Sequence, residues 1–267
     1  MGAGRFFARD LLAQQVALVT GGGTGIGKAI ALAMAECGAT LAIASRKPEN
    51  LEQGAAELAA ATGRAPLTVV CDIREPEAVV AMVDRVHAEL GRIDVLVNNA
   101  GGQFPQRAED FTVKGWNTVI NNNLNGTWYV TQAVARHMIA DGGGCIVNVI
   151  ANYHRGMPGI AHTSAARAAV DNLSKTLSVE WARHRIRINS VAPGPVDTYG
   201  FARTYYEGIG AEVGRLPVPR FGTVDEVAAA VLFLASPASS WTTAATLDVG
   251  GGGHIWGDMW AIDPKAT

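Results

Sequence analysis

Thr20-Gly21-Gly22-Gly23-Thr24-Gly25-Ile26-Gly27 stands between an apolar run, Val16-Ala17-Leu18-Val19, and a helical pattern over Lys28 to Glu36. Glycines placed here let the backbone turn tightly and approach a pyrophosphate. The helix start offers unpaired N–H groups and a partial positive charge. Strand, glycine-rich turn and helix, in that order, give these glycines a dinucleotide-binding meaning that a plain turn lacks. The spacing is T-G-x-x-x-G-x-G rather than the common G-x-G-x-x-G.

Strand and helix patterns go on alternating to about residue 250. Strands read at Thr40 to Ala44, Leu67 to Cys71, Ile93 to Val97, Cys145 to Ile150, Arg187 to Val191 and Thr246 to Val249. Helices read at Glu49 to Ala61, Glu75 to Leu90, Val113 to Ala140, Ser164 to Arg183 and Val224 to Ala235. Val79, Met82, Val83, Val86 and Leu90 recur at helical spacing. Several strand runs are apolar throughout, as strands buried on both faces are. The expected fold is α/β: a doubly wound, Rossmann-type, seven-stranded parallel sheet with helices on both faces, in one domain over 1–267. Such a sheet binds its ligands beyond the carboxyl ends of the strands.

The 267 residues are 48% hydrophobic and 17% charged, enough for one sizeable core. A net charge of −2 without a basic stripe argues against nucleic acid and anionic membrane as partners. No apolar run reaches membrane-span length, and Met1 to Gln15 lacks a secretory h-region. The ending Pro264-Lys265-Ala266-Thr267 is not a peroxisomal address, so a cytoplasmic location is expected. Cys37, Cys71 and Cys145 stand far apart and read as small buried side chains in a reducing compartment. No Cys/His spacing suggests a metal.

Ser45-Arg46-Lys47 ends the second strand, where dinucleotide folds face the adenosine ribose. A carboxylate there would hold the 2′-hydroxyl. Two cations stand instead, and Arg46 can clamp a 2′-phosphate with its guanidinium fork. NADP(H) is the expected cofactor. Asn98-Asn99-Ala100-Gly101 ends the fourth strand with small residues on which a cofactor can lie. This tetrad and the glycine spacing together resemble the short-chain dehydrogenase/reductase family. The resemblance implies cofactor contacts from Gly21, Thr24, Gly25, Ile26 and Gly27. It implies an adenine contact from Asp72, with Ile73 against the ring, and a cofactor bed at Asn99, Ala100 and Gly101. Pro193-Gly194 matches the family's nicotinamide-side turn, and Val196 and Thr198 fall where the family meets the carboxamide.

The family's usual proton machinery is Tyr-x-x-x-Lys with an upstream Ser. Lys28, Lys47, Lys114, Lys175 and Lys265 are preceded at that spacing by Thr24, Ile43, Asp110, Asp171 and Ala261. The motif is therefore missing. Ala168-Ala169-Val170-Asp171-Asn172-Leu173 keeps the family's frame, which puts Thr163 in the tyrosine place and Arg167 in the lysine place. Ile150-Ala151 replaces the serine pair. Ketone reduction leaves an alkoxide that needs a tuned acid, and a threonine hydroxyl has no usable pKa for that. Reduction of an α,β-unsaturated thioester differs, because charge collects on the thioester oxygen as an enolate. It needs a donor or cation at that oxygen and a proton at carbon. Gly101-Gly102-Gln103-Phe104, the stretch from Lys114 to Thr127 and His162 to Ala168 resemble the peroxisomal trans-2-enoyl-CoA reductases, with the 2,4-dienoyl-CoA reductases as relatives. The resemblance covers roughly Leu12 to Gly252 and implies an acyl-CoA substrate.

Roles follow from it position by position. Asn123 matches a mid-helix Asn that organises a water chain, and Arg167 would meet the nicotinamide ribose. Tyr153 falls within one residue of a tyrosine that 2,4-dienoyl-CoA reductases set on the thioester oxygen; plain packing is the alternative. Thr163 and Ser164 are weak donors or helix caps. From Val196 to Arg220 the pattern loosens, with Tyr199, Phe201, Tyr205 and Tyr206 among glycines. The resemblance implies a substrate lid near 196–220, and packing aromatics are the alternative. It also implies a homotetramer. Two other functions stay open: an NADP(H)-dependent dehydrogenase on a hydroxy or keto substrate using an atypical tyrosine, and a non-catalytic cofactor-binding subunit.

Overall fold

The computed structural model describes residues 6–198 and 213–255. Tyr199, Phe201, Tyr205 and Tyr206, and with them most of the expected lid, lie outside the described residues. The chain runs through β1 (Val16–Thr20), α1 (Gly25–Glu36), β2 (Thr40–Ser45), α2 (Pro48–Thr62), β3 (Leu67–Val70), α3 (Pro76–Leu90) and β4 (Val95–Asn98). It continues through α4 (Val113–Ile120), α5 (Gly126–Asp141), β5 (Gly144–Val149), α6 (Ala161–Glu180), β6 (Ile186–Pro193), α7 (Val224–Ala235) and β7 (Thr246–Val249).

The strands form one parallel sheet in the order β3-β2-β1-β4-β5-β6-β7, as the alternating pattern leads one to expect. The order reverses where β1 pairs with β4, Ala17 opposite Val95, so the ligand crevice opens above that pair. Both strands are buried at every position. Side chains of α1, α2 and α7 cover one face; those of α3, α5 and α6 cover the other. Two covered faces leave no place for polar alternation, which explains the continuous apolar runs.

Local chemistry sets the helix ends. Helices α2 and α3 start on Pro48 and Pro76 and stop on Gly63 and Gly91, whose φ values of 73° and 83° suit glycine. Helix α7 starts with a capping box: Thr223 Oγ1 accepts the Glu226 N–H, and Glu226 accepts the Thr223 N–H. Arg220 also grips Glu226, and with the cap it holds that carboxyl down at about 2.

Several boundaries shift by one to three residues, and two differences bear on the site. The single helix expected over Val113 to Ala140 is two α-helices joined by a π-helical turn, Asn121–Asn125. Such a turn inserts one residue into the helical register, and it leaves Asn123 fully buried. Helix α6 begins at Ala161 rather than Ser164, because Ile160 takes the N-cap place with no side-chain cap bond. Capping therefore does not explain Thr163 or Ser164. The three cysteines are free and buried as expected, and burial raises the Cys71 and Cys145 thiols to about 11, which leaves them inert.

Candidate active site

The glycine turn is tied to the neighbouring strand through Thr20. Its hydroxyl donates to Val97 O at 3.3 Å and accepts the Asn99 and Ala100 N–H groups, both at 3.0 Å. Asn99 Nδ2 donates back to Thr20 O at 3.0 Å. Gly21 has φ +67°, and a Cβ there would lie 2.8 Å from Asn99 Nδ2. A Cβ on Gly27 would collide with Gly21 O and Asn99. Gly25, at φ +52°, would meet nothing within 4 Å. Two motif glycines thus let the turn pack against α1 and β4, and the third borders open space at the helix start. Thr24 makes no side-chain cap bond and no acidic residue stands in the first turn of α1. This end of the helix therefore fits a pyrophosphate.

At the ribose end, Arg46 and Lys47 are exposed past β2. Asp72 is an anchored anion. Arg74 Nε donates to its Oδ1 at 2.9 Å, and the Arg74 backbone N–H to the same oxygen at 3.1 Å. Those bonds, with a smaller pull from Arg46, hold the Asp72 carboxyl below the usual range. Ile73 is buried against Gly126, where a Cβ would sit 2.7 Å from its Cγ1.

Above the ends of β4 and β5 the structure brings Gly101, Asn123 and Arg167 together. Asn123 Nδ2 donates to Gly102 O, and the Gly102 N–H donates to Asn123 Oδ1, each at 3.0 Å. Both ends of this amide thus hold the loop after β4. Arg167 is 8% exposed. Its Nη1 donates to Val149 O at 3.1 Å, and its Nη2 lies 3.5 Å from Asn123 Oδ1. Burial alone lowers its pKa, to about 10, so it remains a cation at neutral pH. Among the described residues no carboxylate pairs with it. Buried charges usually have a partner. A buried cation without one suits charge that develops during a reaction.

Thr163 sits one helical turn before Arg167, fully buried, and its hydroxyl has no partner. Tyr153 is placed differently. Its hydroxyl donates to Asp171 Oδ2 at 2.6 Å, one turn beyond Arg167, where Lys175 and Thr246 also converge. Burial, then this carboxylate, push the phenol pKa up, so it is a poor acid as it stands. Its ring packs beside Ile150, Val170 and Ala192. Sequence reasoning missed Asp171 as its partner; the one available signal was its place four residues after Arg167. Gly194 packs on Gly250, where a Cβ would lie 2.7 Å from the Gly250 Cα, and its N–H donates to Val249 O at 3.0 Å. Val196 is buried and bridges to Gly222.

A family profile described as enoyl-(acyl carrier protein) reductase matches residues 21–254. The peroxisomal 2,4-dienoyl-CoA reductase, (3E)-enoyl-CoA-producing, of Danio rerio is 39% identical over 254 residues, 93% of this chain and 84% of that protein. The solved citronellol catabolism dehydrogenase of Pseudomonas aeruginosa PAO1 matches with a TM-score of 0.84 and 38% identity, covering 93% of this chain and 98% of its own. A short-chain type dehydrogenase/reductase from Mycobacterium marinum matches with a TM-score of 0.87 and 35% identity, covering 91% of this chain and 97% of its own. These likenesses agree with the glycine cradle and the strand order, and the chain belongs to the short-chain dehydrogenase/reductase family of nicotinamide-dependent oxidoreductases.

Proposed function

We propose that this oxidoreductase uses NADPH to reduce the carbon–carbon double bond of an α,β-unsaturated thioester, an enoyl- or dienoyl-CoA. The observation that carries the reading is the buried Arg167 guanidinium, without a carboxylate, next to a position 163 that holds no acid. Bound NADPH supplies the hydride. Reduction of such a substrate would put negative charge on the thioester oxygen, and the buried Arg167 would supply a fixed cation for it. Asn123 holds the Gly101–Gly102 backbone against which cofactor and substrate meet. The enolate then takes its proton at carbon, so no phenol of tuned pKa is required. Arg46 and Lys47 favour the 2′-phosphate and hence NADPH over NADH. A relative named for 2,4-dienoyl-CoA reduction supports the substrate class.

The test is direct. The purified protein should oxidise NADPH with a 2-enoyl-CoA or a 2,4-dienoyl-CoA and leave simple ketones and secondary alcohols untouched. Rapid alcohol oxidation would reject the proposal. The second reading, a hydroxy or keto substrate handled by Tyr153, gains from the dehydrogenase named for citronellol catabolism. It loses from the engagement of that hydroxyl by Asp171. The proposal includes a homotetramer, checked by light scattering. It also includes a cytoplasmic location, checked by fractionation, although the relative from Danio rerio is named peroxisomal. No helix of the described residues is long and apolar enough to cross a membrane.

A further inference from the structure

Asp248, near the end of β7, stands between two imidazoles that reach it from different segments. His154 belongs to the loop after β5, and His254 to the turn that follows β7. His154 Nε2 lies 3.4 Å from Asp248 Oδ1, and His254 Nε2 lies 4.0 Å from Asp248 Oδ2. The two rings have centroids 6.1 Å apart. Neither approach is closed, because Asp248 Oδ1 and His254 Nδ1 are buried atoms without a hydrogen-bond partner. An unbonded buried carboxylate oxygen is costly, and a proton on a neighbouring imidazole relieves it.

The turn after β7 borders the site. Gly250 packs on Gly194, the Val218 N–H donates to Gly251 O at 3.1 Å, and a Cβ on Gly252 would lie 2.8 Å from Pro217 Cγ. The loop of His154 is joined to the end of β6, where the Asn152 N–H donates to Pro193 O at 3.1 Å. Drawing both histidines onto Asp248 therefore draws together the loop after β5, the end of β6 and the stretch 213–222.

The other titratable groups nearby leave this change to the histidines. Tyr153 stacks on His154 with centroids 4.8 Å apart, and its hydroxyl is held by Asp171, which also holds Lys175. Burial, then Asp171, then the Asp248 charge keep the Tyr153 phenol protonated. Arg220 is taken up by Glu226, and Arg155 and Arg215 are exposed. Histidine is the side chain whose charge ordinarily changes between about pH 5 and 8.

We propose that His154, Asp248 and His254 form a pH-sensitive latch, in which protonation of the imidazoles draws both onto the shared carboxylate and tightens the turn after β7 against the loop after β5. Closure favours the protonated rings, so the latch is shut at mildly acidic pH and slackens as pH rises through the histidine range. No substrate takes part, and the latch is independent of the thioester reading. The histidine side chains are 39% and 29% exposed, so each pair contributes a small factor, about fivefold at most.

Hydrogen exchange of the full chain, read by mass spectrometry and divided by the intrinsic rate at each pH, tests this. Peptides covering 152–156 and 249–255 should be about fivefold better protected at about pH 6 than at about pH 8 in wild type. Asp248→Asn keeps the shape and removes the charge, and its ratio should fall below about twofold. His254→Gln should give an intermediate ratio. If wild type is equally protected at both pH values, or Asp248→Asn keeps the wild-type ratio, the latch does not exist. Should Asp248→Asn fail to fold, the double variant His154→Gln with His254→Gln decides by the same criterion.

Discussion

Gly101→Ala strikes the point where the parts of the site touch. A Cβ at this position would lie 2.8 Å from Asn123 Oδ1 and nearer still to Arg167 Nη2. To restore ordinary contact near 3.5 Å, Asn123 must retreat by about 0.7 Å and the guanidinium by more. Neither is free to do so. Asn123 is fully buried and bonded twice to Gly102, and Arg167 is held by Val149 O. Overpacking of this kind costs about 1–3 kcal/mol, or about 2–12 °C of melting temperature at this chain length. Moving the cation by the better part of an ångström should also lower kcat/KM with a 2-enoyl-CoA by about 10²-fold. Gly102→Ala is the control, because its Cβ would meet only Asn122 Nδ2, at 3.6 Å. Steady-state NADPH oxidation, thermal melts and an NADP⁺ titration on both variants read the difference. If Gly101→Ala behaves like Gly102→Ala in turnover and melting, the Gly101–Asn123–Arg167 contact does not organise the site.

Arg167→Met should fold and bind NADP⁺ while losing about 10²–10³-fold in kcat, since it removes the cation but keeps the length; unchanged turnover sinks the oxyanion role. Arg46→Glu should raise the KM for NADPH at least about tenfold and spare NADH, which paired kinetics would show. Tyr153→Phe should keep turnover within about threefold and cost about 1 kcal/mol in a denaturant melt, because Asp171 keeps Lys175 and Thr246. A collapse of turnover instead favours the keto-substrate reading. The Glu226 carboxyl falls from 4.5 to about 2 on folding. The cap's contribution is therefore present above pH 4.5 and lost as pH falls toward 2. Acid melts of Glu226→Gln should show a shallower decline over that window than wild type, by a small amount because the pair is partly exposed; identical profiles refute it.

Most of the sheet is legible because its signals are local. Apolar runs with both faces covered mark β1 and β4, and Thr223 with Glu226 marks the start of α7, whose bounds fall where the pattern puts them. The π turn is not legible. One extra residue in a helix leaves the 3.6-residue rhythm on either side intact, so Val113 to Ala140 reads as unbroken while Asn123 changes its direction. Tyr153 is misleading for another reason. Its neighbourhood is set by a carboxylate 18 residues later and by Thr246 on the edge strand, and no spacing rule joins those three. The Asn-Asn-Ala-Gly tetrad shows that small residues are needed after β4. It does not show that the last of them makes room for a guanidinium.

That guanidinium is where residue identity selects the chemistry. A lysine desolvated to a similar degree can lose several units of pKa and come within reach of deprotonation, which is what a proton relay uses. Arginine starts so high that, with burial as its only perturbation, it reaches about 10 and stays charged at any physiological pH. A cation that cannot give up its proton cannot recharge a phenol, and the tyrosine that would need recharging is itself replaced by Thr163. The two substitutions are coherent only together. On the proposed thioester reading, the site gives up acid–base cycling at oxygen and keeps a permanent positive charge, which would serve a reaction whose developing charge rests on oxygen while its proton goes to carbon.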